Sequence, residues 1–167
     1  MNVIRSGRPS MWATLVVSVS VLALMAPACS KGRSSGGSAY PLTKVFVQKF
    51  RYHGMPTHLS SGIHQLLFQN EESFQITHEM IPVALPSGKT AKDITAAAKA
   101  KGPSSEDEWL HIGGDMNSAD TGASVLETLY LPPGNYAIAC WQTGKPNSTK
   151  TGPPHAAIGM VWQFNVS

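Results

Sequence analysis

Residues Pro153–Val166 read PPHAAIGMVWQFNV, and from Met160 onward the stretch alternates. Met160, Trp162, Phe164 and Val166 share one face of an extended chain, and Val161, Gln163 and Asn165 share the other. That period predicts a half-buried strand, running from Ala156 to Val166. His155 stands just ahead of it, behind Pro153 and Pro154. A histidine and a methionine at the lip of a strand are either packing or metal ligands.

Working outward, similar segments recur. LTKVFVQKF (42–50), IHQLLFQN (63–70), SFQITHEMIPVAL (73–85), ASVLETLYL (123–131) and NYAIACWQ (135–142) are short β-branched and aromatic runs punctuated by Gly, Pro and Asn. They predict an all-β sandwich. Pro82 marks its strand as an edge or a bulge, because proline offers no N–H to a ladder. One short helix interrupts the strands over about 90–101, with Thr90 as N-cap, Asp93 three residues on, and Gly102-Pro103 as the stop. SSEDEW (104–109) predicts one further turn, and 111–122 reads as loop.

The first 28 residues read as an export signal: Arg5 and Arg8, then the apolar run MWATLVVSVSVLALMAPA, then small residues at Ala26 and Ala28. APAC, ending at Cys29, resembles the lipobox of bacterial lipoproteins, which implies a lipidated Cys29. Residues 29–40, SKGRSSGGSAY after the cysteine, read as a flexible tether, and 41–167 as one domain. This predicts an exported protein, periplasmic or on the outer cell surface, held to a membrane through its lipid. Of thirteen basic residues, Arg5 and Arg8 fall in the leader, leaving eleven against ten acidic ones. A surface so near neutrality, with scattered lysines, gives no electrostatic case for nucleic acid.

With Cys29 assigned to the anchor, Cys140 is the remaining cysteine of the two. An unpaired thiol in an exported protein is either deeply buried or has a task. Cys140 ends a strand, and His155 and Met160 follow it; His78, in ITHEM, is a fourth candidate. Two imidazoles, a thiolate and a weak thioether suit copper cycling between its two oxidation states. Binding would deprotonate the thiol.

LPPGNYAIAC followed by PPHAAIGMVWQFNV resembles the C-terminal signature of cupredoxins: a Pro-Gly turn, a tyrosine, a cysteine ending the strand, then His and Met spaced H-x4-M. FQNEESFQITHEMIPVALPSGKTAKDI resembles the earlier half of bacterial plastocyanin-like domains. The resemblance covers roughly residues 62–167. It implies a Greek-key cupredoxin-like sandwich with one type 1-like copper ion. His78, Cys140 and His155 would lie in the plane and Met160 on the axis. It also implies a monomeric one-electron carrier for a redox or copper-handling protein partner, not an enzyme. The departure is the loop: fourteen residues separate Cys140 from His155, where electron-carrying cupredoxins have only a few.

That loop, with the extra His and Met residues, keeps open a copper chaperone or buffer. A metal-free interaction module is the other alternative, since a fold does not fix a function. His53, Met55, His58 and His64 are candidates for a second soft-donor patch or a solvated loop, and His111 with Met116 for the same. Trp141 reads as packing, with shielding of the site as its other role. Hydrolase chemistry is not supported: no G-x-S-x-G elbow follows a predicted strand, the match at 32–36 falling in the tether, and Pro82 stands where H-E-x-x-H needs its second histidine.

Overall fold

The computed structural model describes residues 40–113 and 117–167. The predicted leader, Cys29, the tether up to residue 39, and Met116 lie outside the described residues. The first strands are β1 (Leu42–Gln48), β2 (Arg51–His53), β3 (His58–Leu59), β4 (Gly62–Asn70) and β5 (His78–Ala84). Helix α1 (Ala91–Lys101) continues directly into a 3-10 turn, Gly102–Glu108. Then come β6 (Leu110–His111), β7 (Asn117–Ala119), β8 (Ser124–Leu131) and β9 (Gly134–Ala139). The chain closes with β10 (Gly144–Lys145), β11 (Ser148–Thr151), a 3-10 turn at His155–Ile158, and β12 (Val161–Val166).

Two sheets form the sandwich. One has the order β2-β1-β4-β8, with β1 and β4 parallel. The other runs β3-β12-β9-β5-β6, with β7 also on β5; β12 and β3 are parallel and the rest antiparallel. Between the sheets the alternate residues of each strand interdigitate: Val45, Val47, Leu66, Phe68, Leu129 and Leu131 meet Met80, Tyr136, Ile138, Cys140, Met160, Phe164 and Val166. The outer face of the second sheet is covered as well. Ile81, Val83, Ala137, Ala139 and Trp141 pack under Ile94 and Ala98 of α1. The architecture is therefore sheet, sheet, helix. Burial on both faces explains why β5 and β9 read as continuous apolar runs rather than as an alternation.

Pro82 sits where its missing donor does least harm. Its carbonyl accepts from Ile112 N, 2.9 Å away, on the outer edge of β5. The nitrogen of a strand residue points to the same edge as its carbonyl. There β7 covers residues 78–80 and β6 covers 83–84, and the two leave a gap at Pro82.

Four expectations are corrected. The last strand begins at Val161, not Ala156, because His155–Ile158 coil into a 3-10 turn. Gly159, left-handed at φ 95°, ends that turn. The third strand begins at His78, not Ser73; the preceding backbone bonds to Asn70, Thr121 and Asn147 side chains instead of a ladder. Residues 111–122 are not all loop, since β6 and β7 lie there. The long segment after Cys140 folds into the β10–β11 hairpin. The helix stands as expected: the Asp93 carboxylate accepts from the Thr90 backbone N–H at 2.9 Å and from its hydroxyl at 3.0 Å. Those bonds hold the Asp93 carboxyl below its ordinary range, the backbone bond most of all.

Candidate metal centre

Three segments meet at one end of the sandwich. The first is the end of β9. Its start is fixed by the Pro132–Gly134 turn, where Tyr136 Oη donates to the Pro132 carbonyl at 2.7 Å. Strand alternation then puts Tyr136, Ile138 and Cys140 on the inner face. The second is the 3-10 turn that carries His155. It docks on the end of β9 through backbone bonds: His155 N to Gln142 O at 2.9 Å and Ala156 N to Cys140 O at 2.6 Å. Met160 closes the loop, with its N–H on His155 O at 3.0 Å and its carbonyl taking the Cys140 N–H at 3.3 Å. The third is the start of β5. The Asn70 side-chain amide donates to Ile76 O and Ala119 O, both at 2.9 Å, and so braces the approach to His78 from two sides.

One ligand atom each from His78, Cys140 and His155 lies within 4.8 Å of the others, and this is the one such group found among the described residues. His155 Nδ1 is 3.2 Å from Cys140 Sγ and 3.0 Å from His78 Nδ1; His78 Nδ1 is 3.8 Å from the sulfur. His78 and Cys140 are 0 % exposed, and His155 is 1 %. Met160 is also fully buried, in the same apolar cluster as Cys140. Thus the structure brings together the two histidines and the cysteine that the sequence singled out, with Met160 hydrogen-bonded to both His155 and Cys140 through its backbone.

The outward ring nitrogens decide the tautomers. His155 Nε2 lies 3.0 Å from the Gly144 carbonyl, which can only accept, so Nε2 carries the hydrogen. His78 Nε2 has no aligned hydrogen bond, but Glu72 Oε1 faces it at 3.3 Å, which favours the same tautomer. Burial, then the neighbouring His155, lowers the His78 pKa to about 4, against the opposing pull of Glu72. Burial also lowers that of His155, and it pushes the Cys140 thiol well up, with Glu79 adding to the effect. Neutral rings therefore aim two Nδ1 lone pairs at each other and at one thiol. A single proton cannot satisfy all three groups, whereas a cation among them can. The donor set, two imidazoles and a soft sulfur, fits copper.

Further groups hold this cluster, and the sequence did not mark them as site residues. Glu79 N–H points at Cys140 Sγ from 3.5 Å. The Glu79 carboxylate accepts from Trp141 N at 2.6 Å and Gln142 Nε2 at 2.9 Å, tying β5 to the end of β9. Burial raises its carboxyl, partly offset by those same bonds. The Phe50 ring stands edge-on to both imidazoles, with centroids 5.1 Å from His78 and 4.9 Å from His155. Only Glu79, beside His78, left a signal in the sequence. Phe50 and Glu72 come from segments whose proximity no local pattern encodes.

The second-patch candidates do not gather. Met55 is in the sandwich core and His64 is buried with Nε2 on Ser60 O at 2.8 Å. His53 stacks on Phe46 and His58 lies by Ser167 Oγ. His111 is 3.8 Å from Glu106. Trp141 turns away from the cluster, its indole N–H donating to Ser105 Oγ at 3.1 Å under the helix; it packs and does not shield.

No family model matches the chain, and no curated protein matches it either. Solved structures do. An auracyanin B structure superposes with a TM-score of 0.50 at 19 % identity, covering 76 % of this chain and 88 % of that one. Auracyanin A, titled a blue copper protein from the green thermophilic photosynthetic bacterium Chloroflexus aurantiacus, gives 0.44 at 16 % identity, over 75 % of this chain and 99 % of that one. An azurin from the obligate methylotroph Methylomonas sp. strain J gives 0.46 at 13 %, over 77 % and 99 %. The auracyanin B likeness shows the fold. The chain is a cupredoxin-fold β-sandwich with one short helix, and it carries a buried His-Cys-His cluster at one end.

Proposed function

We propose that His78 Nδ1, His155 Nδ1 and the Cys140 thiolate would hold a single copper ion, with the Met160 thioether as a further weak donor, and that the protein carries one electron at a time between protein partners. The observation that carries this reading is the convergence of three ligand atoms from three segments within 4.8 Å, all buried. Bound copper would supply the one-electron couple. The chain supplies the rest. His155 Nε2 on Gly144 O and His78 Nε2 facing Glu72 keep both Nδ1 atoms free of protons. The Glu79 N–H offers a dipole to the sulfur, which favours its anionic form. Phe50 and the sandwich exclude water. Ligands sealed in this way favour outer-sphere electron exchange over handing the ion itself to an acceptor, which needs an open approach.

We extend the proposal to the location. The leader 1–28 would export the chain, lipid on Cys29 would anchor it, and residues 29–40 would tether a monomeric domain outside the cytoplasm.

Loading the purified protein with Cu(II) should give an intense visible thiolate-to-copper absorption and reversible one-electron voltammetry. Tight Cu(I) binding without reversible cycling would replace the carrier with a copper buffer. No copper after loading would leave a metal-free interaction module. Cys29→Ser should release the protein from the membrane fraction; unchanged fractionation would sink the lipid anchor.

A further inference from the structure

The turn between β1 and β2 is unusually demanding for its sequence. Gln48 pairs with Arg51, so Lys49 and Phe50 alone reverse the chain. Both are left-handed, at φ 53° and 57°. Two-residue hairpins with both corners left-handed are normally built from Asn-Gly, because a Cβ crowds the backbone there. Lys and Phe have no such tolerance, so the turn needs an external hold.

Glu72 provides it. Its Oε2 accepts from Lys49 N at 2.8 Å and its Oε1 from Phe50 N at 2.7 Å. The backbone that carries it is anchored in turn: Glu72 N donates to Asn70 Oδ1 at 3.2 Å, and Glu71 N to Val47 O at 3.0 Å. Glu72 is 5 % exposed, an acid placed inside the fold rather than on it. The same Oε1 that holds the turn faces His78 Nε2 at 3.3 Å, and the turn it holds is the one that lays Phe50 across both imidazoles.

We propose that Glu72 is a positioning residue of the metal centre: one carboxylate locks the Lys49–Phe50 turn, so that Phe50 closes over both imidazoles, and keeps the His78 hydrogen on Nε2, so that Nδ1 is free as a ligand. The ligand role of Nδ1 rests on the copper reading above; the tautomer and the turn do not. Without the carboxylate, the His78 hydrogen has a better place. On Nδ1 it would face the His155 Nδ1 lone pair at 3.0 Å and form a hydrogen bond between the rings. Alanine is the informative replacement, because a glutamine turned with its oxygen toward Phe50 and His78 would still accept from both and fail only Lys49, whereas alanine removes every acceptor.

The test is made on the metal-free full chain by nitrogen-15 NMR of the imidazoles and by amide hydrogen exchange. In the wild type, His78 should be the Nε2–H tautomer and the Lys49 and Phe50 amides should be protected. Finding the hydrogen on Nδ1 in the wild type overturns the proposal without any variant. In Glu72→Ala the hydrogen should move to Nδ1 and both amides should lose protection. The combined Lys49→Asn and Phe50→Gly change, made in that variant, supplies residues that accept the left-handed turn. It should keep the Gln48–Arg51 pair and its amide protection without the carboxylate, while the amides of residues 49 and 50 stay exposed and His78 stays on Nδ1, separating the two jobs. An unchanged tautomer or unchanged protection in Glu72→Ala overturns the proposal. Failure to bind copper in a wild type with the expected tautomer overturns only the copper reading.

Discussion

Cys140 and Trp141 are neighbours in sequence but belong to opposite sides of one sheet. Cys140 faces the space between the sheets, beside two imidazoles; Trp141 faces the helix layer, with Ile94, Ala98 and the Ser105 hydroxyl around it. The pair His155 and Ala156 splits in a similar way. His155 joins the cluster, while Ala156 and Ala157 pack in the helix-side core. Two of the three clustered ligand atoms thus belong to residues whose next neighbour is pinned from behind. One side of the sheet carries the polar atoms and the chemistry; the other supplies apolar packing that keeps them still. The helix has no donor in the site, yet it backs the loops that do.

The sharpest way to break this division is to exchange the consequences of two adjacent truncations. Cys140→Ser should remove the thiolate-to-copper absorption entirely. Trp141→Ala should leave that absorption in the folded protein but destabilise it by about 3–5 kcal/mol, the range for emptying a large aromatic from a packed core, as read by denaturant titration. Loss of the band in Trp141→Ala under conditions where it remains folded would show that the helix layer shapes the ligand field as well as supporting it.

The next effect belongs to the site side alone. In the metal-free protein, His78 stays neutral down to about pH 4, against an ordinary value of 6.5. Between those values the unfolded chain binds more protons than the folded one. Stability therefore falls as pH drops from 6.5 toward 4, by on the order of 3 kcal/mol from His78. His155, lowered in the same direction, adds to the loss. Glu79 works the other way: its raised carboxyl favours the folded state at low pH and that gain is lost as pH rises through its folded value. Thermal unfolding across this window, repeated with His78→Asn, should show a shallower slope in the variant. An equal slope would place the titration elsewhere.

On the helix side the matching polar test is smaller. Ser105→Ala leaves the buried Trp141 indole N–H without its acceptor and should cost about 1–3 kcal/mol, with no change in the absorption. Smallest of all, Leu110 is 73 % exposed, and Leu110→Ser should stay within about 0.5 kcal/mol of wild type in the same titration.

Much of the sandwich was legible because its signals are local. Alternation over Val161–Val166 follows from one strand whose inner face lies in the sandwich core and whose outer face runs from Val161 and Gln163, against the helix layer, to exposed Asn165, and the helix is bounded by Thr90, Asp93 and Gly102, each acting within a few residues. The Cys, His and Met spacing pointed to the cluster for the same reason: these residues lie on two adjacent segments. What stayed hidden is long-range. Glu72 reads as an ordinary surface acid in NEESF, and only the fold brings it to Lys49, Phe50 and His78. The 3-10 turn at His155–Ile158 was masked by an apolar run that suits a strand equally well, its direction set by docking on Cys140 and Gln142.

The segment between Cys140 and His155 is tied at its base. Gln142 O holds His155 N, and Gly144 O holds the His155 ring. Residues 145–151 beyond that base are exposed. The tip is fastened separately: Asn147 accepts from Gln75 N and donates its own N–H to Gln75 O, both at 3.0 Å, so one hairpin steadies the approach to His78 at its tip and the His155 imidazole at its base.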